Sequence, residues 1–401
     1  GESMARLERS VVITDGEHRA ALALTRSLGR TGHRVIVCSP RQHSLAGASR
    51  YAADRVVVPD PLNDPTAFAD AIAGVVRRFA AGVLIPVSEA SLLAILPRRE
   101  SLSPCVVPFA AAESFGGICD TSLVLAAATR HGIAVPRQHL LRSEADLARV
   151  TDDLQFPVVV KPARSVTDTG SRRFKSGAAH ARDRAALEAV VGRIPSEAYP
   201  VLVQQRVIGP GIGVFVLLWD GQLLAAFAHR RIREKPPSGG VSVLSESIAL
   251  DPGLLRRSDA LLRDFDWQGV AMVEYKLDEK TGTPYLMEVN GRFWGSLQLA
   301  IDAGVDFPNL LVAAACGDPP FPVGDYRVGA RLRWEWGDVD NLLMRLRRSS
   351  ARLALPRGSP GRLKGLVAFA RAFGPGTRGE VLRVDDPRPF FRETVDWFRG
   401  R

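Results

Sequence analysis

The sequence lacks the cysteine and histidine spacing that a zinc site or a disulfide framework would need. Its four cysteines and seven histidines are scattered, with no Cys-x-x-Cys pair, whereas structural zinc sites space their ligands closely. We therefore expect four reduced thiols, at Cys38, Cys105, Cys119 and Cys316. No cysteine with a matching histidine signals a glutaminase within the chain, so an amidotransferase reaction would need a partner subunit.

Long apolar runs are also missing. No stretch approaches the roughly 18 consecutive apolar residues that a transmembrane helix needs. The segment 5–9, near the start, is charged, unlike the apolar core of a secretory signal. We therefore expect a cytoplasmic protein with no membrane span.

Acidic residues are scarce at the C-terminal end. The net charge is +10, and residues 341–401 contain 14 Lys or Arg against 5 Asp or Glu, so the positive excess lies there. Such a tail suits nucleic acid, an anionic membrane surface or an acidic partner. Its arginines are interleaved with leucines over 342–353, however, as on the solvated face of an amphipathic helix. We favour the solvated helix and expect no nucleic-acid partner.

The first part of the chain has the alternating pattern of a parallel α/β sheet. Strands are predicted at 10–14, 34–38, 55–58 and 82–86, and helices at 17–29 and 65–79. The first turn, 14–18, lacks the G-x-G-x-x-G spacing that lets a backbone approach a pyrophosphate. We therefore expect a Rossmann-like sheet without a dinucleotide site.

Two carboxylates and an amide are predicted to meet on a later hairpin. Strands at 269–276 and 284–290 flank a turn at 280–282, and they carry Glu274 on one side and Glu288 and Asn290 on the other. Because side chains alternate along a strand, Glu288 and Asn290 share a face. An oxygen-only ligand set of this kind suits Mg²⁺, which usually bridges a few carboxylates to nucleotide phosphates.

A buried-type strand at 156–162 carries Lys161 near its end, before a loop rich in Ser and Thr. A lysine beside backbone N–H donors suits phosphate oxygens. A lysine at the end of a buried strand is also an ordinary way to reach water. Lys161 therefore indicates a phosphate site only in combination with the other motifs.

Together these motifs resemble the ATP-grasp superfamily, in particular its carboxylate–amine ligases and the large subunit of carbamoyl-phosphate synthase. The resemblance covers about 120–318 and rests on Lys161-Pro162, the connector 204–207, Glu274 and the run 288–292, in that order. It implies an α/β (α+β) protein in which a Rossmann-like parallel-sheet domain precedes an ATP-grasp fold. The implied domains are 5–115, a pre-ATP-grasp domain; 116–325, the ATP-grasp domain with a lid at about 155–208; and 326–401, a basic, mainly helical extension.

The resemblance also implies roles for individual residues. Lys161 would bind ATP phosphates, and Arg292 would stabilise the transferring phosphoryl group. The adenine pocket would be lined by Gln204, Gln205, Arg206 and Val207, and Mg²⁺, or Mn²⁺ in its place, would be held by Glu274, Glu288 and Asn290. Thr121 stands where the family has a further phosphate-contacting lysine. The loop after Lys161 is less glycine-rich than usual, so Lys175, Arg172 or Arg173 would compensate.

The segment 229–242 is the most unusual part of the sequence, because closely spaced basic residues lead into a Ser-Gly-Gly turn. Regular alternation would place Arg231 and Arg233 on one face of a strand, where the pair could grip a carboxylate. The turn that follows, Ser238-Gly239-Gly240, would let backbone N–H groups approach an anion, although an exposed basic strand is the alternative. The segment resembles one in bacterial ATP-grasp proteins that would face the acceptor substrate. Trp294 would complete that pocket, or else lie in the core.

The resemblance implies a ligase that activates a carboxylate as an acyl phosphate and couples it to an amine, releasing ADP and phosphate. A kinase on the same fold and a non-catalytic nucleotide-binding module are the alternatives. The expected partners are small-molecule carboxylate and amine substrates. The sequence leaves the substrates' identity and the oligomeric state open, a homodimer being one option.

Overall fold

A computed structural model describes residues 9–150, 154–164, 166–168, 173–175, 178–319 and 323–401, with the backbone alone at 166–168 and 173–175. Its described residues form a mixed α/β protein built around several sheets. The fold class predicted from the sequence is thereby confirmed.

The N-terminal sheet is parallel, in the order β3-β2-β1-β4. Its strands are β1 (Ser10–Ile13), β2 (Arg34–Ser39), β3 (Ala52–Val57) and β4 (Val83–Ile85), and the helices between and after them are α1 (Arg19–Arg30), α2 (Pro65–Phe79) and α3 (Glu89–Ile95). The predicted helices and strands are all present. The chain runs outward from β1 to β3 and then returns to the other side of β1, so a crevice is expected outside the carboxyl ends of β1 and β4.

Two helices lead from this sheet to the next layer, α4 (Ala112–Cys119) and α5 (Thr121–Arg130). Asp120 caps α5, because its carboxylate accepts a hydrogen bond from the Leu123 N–H at 3.3 Å. Gly132, just after α5, has φ +70°, a conformation that costs glycine little. Asp120 and Gly132 therefore mark the start and the end of this helix.

The next layer is a small antiparallel sheet with a core of its own, in the order β5-β10-β6-β9. The elements of this region are β5 (Gln138–Leu141), β6 (Val158–Pro162), β7 (Val166–Asp168), β8 (Arg173–Lys175), β9 (Ala179–Ala181), α6 (Arg184–Val191) and β10 (Val201–Gln205). β10 pairs with β5 and β6 and does not pair with β11, the strand that follows it in the chain. At Gly209 the chain passes so close to Leu277 that a Cβ would lie 1.6 Å from the Leu277 carbonyl oxygen, and it then enters another sheet.

The large sheet has the order β15-β14-β11-β12-β13-β16-β17. Its strands are β11 (Gly211–Trp219), β12 (Gln222–Lys235), β13 (Val241–Ser247), β14 (Gly269–Leu277), β15 (Pro284–Asn290), β16 (Arg331–Arg333) and β17 (Thr377–Gly379). The helices between them include α7 (Pro252–Arg263), α8 (Leu297–Ala303) and α9 (Phe307–Ala315). Asp220 and Gly221 have φ +48° and +76° and form the tight turn between β11 and β12.

The C-terminal segment is mainly helical, as expected, with α10 (Glu335–Arg347), α11 (Arg362–Arg371) and α12 (Arg388–Phe398). It is more than an appendage, because β16 pairs with β13 and β17 pairs with β16 at one edge of the large sheet. It also reaches the first helix of the chain, where Arg26 of α1 donates to Asp386 at 2.9 Å. The segment therefore joins the large sheet to the N-terminal sheet.

Within the described residues, no single helix has the length and apolar character needed to cross a membrane. One bent pair, α8 and α9 at 93° to each other, passes that test only when the two helices are taken together.

Candidate active site

The predicted acidic hairpin is formed by β14 and β15. Glu274 and Glu288 are directly opposite each other in the antiparallel register, and Asn290 lies two residues further along β15. The Asn290 amide nitrogen is 3.4 Å from Glu288 Oε1. The structure therefore brings together the three side chains that the sequence assigned to a metal.

The two facing carboxylates have different electrostatic environments. The pKa of Glu274 is raised to about 7, mainly by burial; Arg231 opposes the shift and Glu288 adds to it. Burial also opposes ionisation of Glu288, but the positive charge of Lys161 and contributions from Glu274 and Arg292 lower its pKa below the ordinary value. Two adjacent buried carboxylates resist being ionised together, and a divalent cation would relieve that repulsion. The donor set therefore fits Mg²⁺.

Lys161 connects the small sheet to this hairpin. Its ammonium donates to the Met287 carbonyl at 3.3 Å, and Met287 is the residue at which the register of β15 shifts against β14. Such a bulge leaves one residue out of the regular ladder, which explains why this carbonyl is available. Burial lowers the pKa of Lys161, against the opposing effect of Glu288 and Glu274.

Arg231 of β12 reaches the same cluster from two strands away. Its Nη1 lies 3.0 Å from Glu274 Oε1, 2.8 Å from Glu234 Oε1 and 2.7 Å from the Gly240 carbonyl oxygen. Burial disfavours the charge of Arg231, but Glu274 and Glu234 outweigh that cost and raise its pKa. The side chain passes over β11 at Gly211, where a Cβ would lie 3.1 Å from Arg231 Cδ.

Arg233 does not join Arg231, so the expected arginine pair on one face is wrong. Arg231 is opposite Ser245 and Arg233 is opposite Leu244, which leaves Ile232 as a bulge between them. Because neighbouring residues of β13 point to opposite faces, the bulge turns the two arginines apart. Arg233 instead makes a two-point ion pair with buried Asp338, at 2.7 and 2.6 Å.

The turn after β12 was expected to offer free N–H groups to an anion. In the structure the Gly239 N–H donates to the Pro236 carbonyl at 3.0 Å, and the Gly240 N–H points at Glu234 Oε1 at 3.5 Å. Ser238 is half-buried in the same turn. These backbone donors therefore stabilise the turn itself.

Trp294 lies in the protein core. It is 2% exposed, and its ring centroid is 4.4 Å from that of Phe215 and 5.1 Å from that of Phe307. The expectation that it completes an acceptor pocket is therefore wrong, and the alternative placement in the core holds. Its apolar neighbours on β11 and α9 explain the burial.

A cavity of about 130 Å³ lies beside the hairpin. It is lined by Glu89, Phe115, Ile118, Cys119, Thr121, Lys161, Pro162, Ala178, Glu288, Val289, Asn290, Gly291 and Arg292. Lys161, Glu288, Asn290 and Arg292 thus share one cavity. Arg292 donates from Nη1 to the Phe293 carbonyl at 3.0 Å, which holds its guanidinium at the end of β15.

Sequence reasoning missed Glu89, which begins α3 directly after β4 and lines the cavity. It lies at the carboxyl end of a parallel strand next to the point where the strand order reverses, a frequent place for ligand sites. That rule could have drawn attention to it. Thr121, at the start of α5, also lines the cavity, at the position where the resemblance expects a lysine.

The predicted adenine-pocket residues lie on and after β10. Buried Gln204 donates to the Gln138 side chain at 3.2 Å, and the Gln205 N–H donates to the Arg137 carbonyl at 2.8 Å. The Arg206 N–H donates to the Pro157 carbonyl at 3.2 Å, and Val207 is buried. Among the described residues that line the cavity, none comes from this connector.

The charge of Arg206, in this connector, affects two further titratable residues, Lys276 and His180. Burial lowers the pKa of Lys276; Glu234 opposes this shift and Arg206 adds to it. Burial, followed by Arg206, lowers the pKa of His180 to about 4. Lys276 and Glu234 were not predicted as site residues.

The residues proposed to compensate in the loop after Lys161 cannot be placed: Arg172 and the side chains of Arg173 and Lys175 lie outside the described residues.

Comparison with known proteins agrees with this geometry. Residues 197–335 match the family described as ATP-grasp in the biosynthetic pathway with Ter operon. A search of curated proteins finds no match.

Solved structures of several ligases and carboxylases are similar in fold. An L-amino acid ligase from Bacillus licheniformis is 19% identical, with TM-score 0.61 over 78% of this chain and 75% of that one. The ADP complex of N5-carboxyaminoimidazole ribonucleotide synthetase is 15% identical, with TM-score 0.62 over 81% and 80%. Biotin carboxylase from Campylobacter jejuni is 16% identical, with TM-score 0.63 over 80% and 74%. The chain therefore shares the fold of these enzymes, and its residues 197–335 match an ATP-grasp family model.

Proposed function

We propose that this protein is an ATP- and Mg²⁺-dependent ligase that activates a carboxylate as an acyl phosphate and couples it to an amine. The observation that carries this proposal is the cavity shared by Lys161, Glu288, Asn290 and Arg292, with Glu274 opposite Glu288. Two cations and two oxygen ligands line this cavity, and Glu274 faces Glu288 as a third oxygen ligand. Phosphoryl transfer requires such an environment, because its catalysis is mainly positioning and charge stabilisation.

Each residue has a separate task in this proposal. Glu274, Glu288 and Asn290 would hold Mg²⁺, or Mn²⁺ in its place, and the bound ion would supply neutralisation of phosphate charge. Lys161 binds phosphate oxygens of ATP, since its ammonium is held at the cavity wall by the Met287 carbonyl. Arg292 stabilises the charge on the transferring phosphoryl group.

The reaction has two balanced steps. A carboxylate oxygen of the substrate attacks the γ-phosphorus of ATP, the bond to the β-phosphate oxygen breaks, and ADP leaves. The amine then attacks the carbonyl carbon of the acyl phosphate, phosphate leaves, and the nitrogen releases a proton. Neither step uses a covalent bond to the protein, so no nucleophilic serine or cysteine is required.

The half-buried thiol of Cys119 at the cavity supports a reaction without covalent catalysis. Cys119 lines the cavity, but burial and the neighbouring carboxylate of Glu89 raise its pKa far above the ordinary value. A thiol is nucleophilic only as the thiolate. Cys119 therefore contributes to the wall of the site as a neutral group.

The names of similar proteins support an amide-forming reaction. The L-amino acid ligase named above is similar in fold over most of its length. We infer by analogy that an amino acid is among the substrate classes to test first.

One observation favours a second candidate, a nucleotide-binding module without turnover. Thr121 lines the cavity at a position where the family resemblance expects a lysine, so one phosphate contact would be missing. Lys161 and Arg292 supply positive charge at the same cavity, which is why we favour the ligase.

Product analysis tests the proposal. The purified chain is incubated with ATP, Mg²⁺ and a pooled library of amino acids and small carboxylates, and release of ADP and phosphate is followed together with mass spectrometry of the products. The variants are Glu288→Gln, which keeps the shape of the side chain and removes its charge, and Glu279→Gln, a matched control on the exposed turn between β14 and β15. We expect Mg²⁺-dependent phosphate release with a condensed product from the wild type and from Glu279→Gln, and its loss in Glu288→Gln.

The other outcomes contradict either the ligase reaction or the proposed site. A stable phosphorylated product without free phosphate would show a kinase. ATP binding without turnover across the library would favour the binding module. Turnover that is unchanged in Glu288→Gln would show that the charge of Glu288 is not needed for the reaction.

A further inference from the structure

Helix α11 exposes an apolar stripe to solvent. Leu363 is 75% exposed, Leu366 45% and Val367 42%, and with Ala370 they occupy positions i, i+3, i+4 and i+7, one face of a helix. Soluble proteins expose single apolar residues commonly, but a continuous apolar face points to a binding surface.

The opposite face of α11 is firmly seated, so the exposed stripe is not a consequence of a loosely attached helix. Gly365 is buried against Arg345 of α10, whose guanidinium donates to the Pro360 carbonyl at 2.8 Å just before α11 begins. At the other end the Arg333 guanidinium lies 4.3 Å from the ring centroid of Phe369. These contacts fix which side of α11 faces outward.

Cations flank the stripe. Arg362, Lys364 and Arg371 are exposed on α11, and the segment 341–401, to which α11 belongs, contains 14 Lys or Arg against 5 Asp or Glu. Apolar residues bordered by Lys and Arg on an exposed helix are typical of helices that lie in the plane of a membrane surface.

The few acidic residues of this region do not neutralise the patch. Glu380 and Asp386 are buried and pair with Arg19 and Arg26 of α1. The remaining three are also engaged: Asp385 with Arg30, Glu393 with Trp334, and Asp396 with Arg392. Some cations of this region are paired as well, Arg378 and Arg383 with Asp302. Arg362, Lys364 and Arg371 make no ion pair among the described residues, so their charge is available to a partner.

The charge and the apolar stripe together select among partners. A second copy of this chain would present the same positive charge, and the two patches would repel each other. Nucleic acid would match the charge, but it offers no apolar environment to Leu363, Leu366 and Val367. An anionic lipid surface satisfies both requirements, because its headgroups attract cations and its acyl boundary accepts apolar side chains.

We propose that α11 docks this protein on the surface of an anionic lipid bilayer. The helix lies in the interface plane, with Leu363, Leu366 and Val367 entering the boundary between headgroups and acyl chains and Arg362, Lys364 and Arg371 at headgroup level. This inference is independent of the proposed ligase reaction.

Vesicle flotation of the full chain tests the proposal. Vesicles of phosphatidylcholine alone are compared with an equal mixture of phosphatidylcholine and phosphatidylglycerol, at low and at raised salt. We expect binding to the anionic vesicles only, weakened by salt because headgroup attraction is screened. Leu363→Ser/Leu366→Ser should reduce partitioning roughly tenfold or more, since both side chains lose apolar burial.

The charge contribution is tested separately. Each cation near an anionic surface contributes roughly fivefold to partitioning, so Arg362→Gln/Lys364→Gln/Arg371→Gln should abolish flotation. The matched control is Arg41→Gln/Arg77→Gln/Arg78→Gln, three exposed arginines of the N-terminal region. The apolar control is Val57→Ser, which is 59% exposed on β3. Both controls should float like the wild type.

The proposal fails if the wild type does not float with anionic vesicles at low salt. It also fails if the leucine variant floats unchanged, which would indicate purely electrostatic adsorption, or if single-stranded or duplex DNA displaces the protein while the leucine variant keeps DNA binding, which would assign the patch to nucleic acid. All substituted residues are exposed, and unchanged thermal unfolding of each variant confirms that the fold is intact.

Discussion

The Arg231 guanidinium reaches the Glu274 carboxylate across an intervening strand, with Nη1 3.0 Å from Oε1. Arg231 lies on β12 and Glu274 on β14, with β11 between them. The contact is possible because β11 has Gly211 beneath the arginine stem. The ion pair therefore connects the strand before the Ser238–Gly240 turn to the proposed metal ligand.

A double-mutant cycle should reveal this ion pair. Arg231→Met leaves the Glu274 and Glu234 carboxylates buried without their cation, and removal of one partner from a buried pair typically costs about 3–5 kcal/mol in unfolding free energy. Glu274→Gln in the same chain removes much of that cost. We expect a coupling of roughly 1–3 kcal/mol by denaturant unfolding of the four proteins. Additive effects of the two changes would show that the ion pair contributes nothing to stability.

Substitution of Gly211 should disturb the same contact without touching either charge. A Cβ there lies 3.1 Å from Arg231 Cδ, so Gly211→Val pushes a side chain that is held at three points. We expect a loss of about 1–3 kcal/mol in unfolding free energy, as for overpacking elsewhere. Gly116→Val in α4 is the control, because nothing lies within 4 Å of its Cβ position. Equal effects of the two changes would argue against steric crowding at Gly211.

The acidic hairpin and the misplaced arginines show what local pattern can and cannot predict. Glu288 and Asn290 share a face because side chains alternate along β15, so a period of two predicted the site. The same rule failed for Arg231 and Arg233 because Ile232 bulges, and no residue type in that stretch marks a bulge. Pairing between strands therefore decided the outcome, and pairing is not visible in one strand's sequence.

Contacts distant in sequence were the least predictable part. Glu89 lines the same cavity as residues 288–292 because of the tertiary fold. The sequence around residue 89 contains no pattern that predicts this proximity. From the sequence, the acidic residues at 380–386 are expected to be exposed within a basic tail. In the structure Asp386 is buried against Arg26 of α1. Composition located the positive excess correctly, but only the packing shows which charges are compensated.

The Arg26–Asp386 pair should be essential for attaching the C-terminal segment. Arg26 is 1% exposed and Asp386 is fully buried, and the guanidinium also donates to the Val381 carbonyl at 2.7 Å. Arg26→Met leaves the buried Asp386 carboxylate without its cation and should cost about 3–5 kcal/mol in unfolding free energy. Arg30→Met, one turn further along α1, breaks the partly exposed pair with Asp385 and should cost under about 1 kcal/mol. Similar losses in the two variants would contradict this ranking.

Stability should depend on pH through Glu393, which is half-buried and accepts a hydrogen bond from Trp334 Nε1 at 3.0 Å. Burial and the neighbouring carboxylates of Glu335 and Glu380 raise its pKa to about 7. Between the ordinary glutamate pKa of about 4.3 and this value, the folded protein keeps a proton that the unfolded chain has released. The unfolding free energy contributed by this group therefore falls as pH rises through that window.

Glu393→Gln should remove that dependence, because an amide keeps the acceptor oxygen for Trp334 and carries no charge. We expect the variant and the wild type to be nearly equally stable below the window. Above about pH 7 the variant should be more stable, by at most about 4 kcal/mol, when denaturant unfolding is compared across pH. A difference between the two proteins that stays constant with pH would mean that Glu393 titrates at its ordinary value in the folded protein.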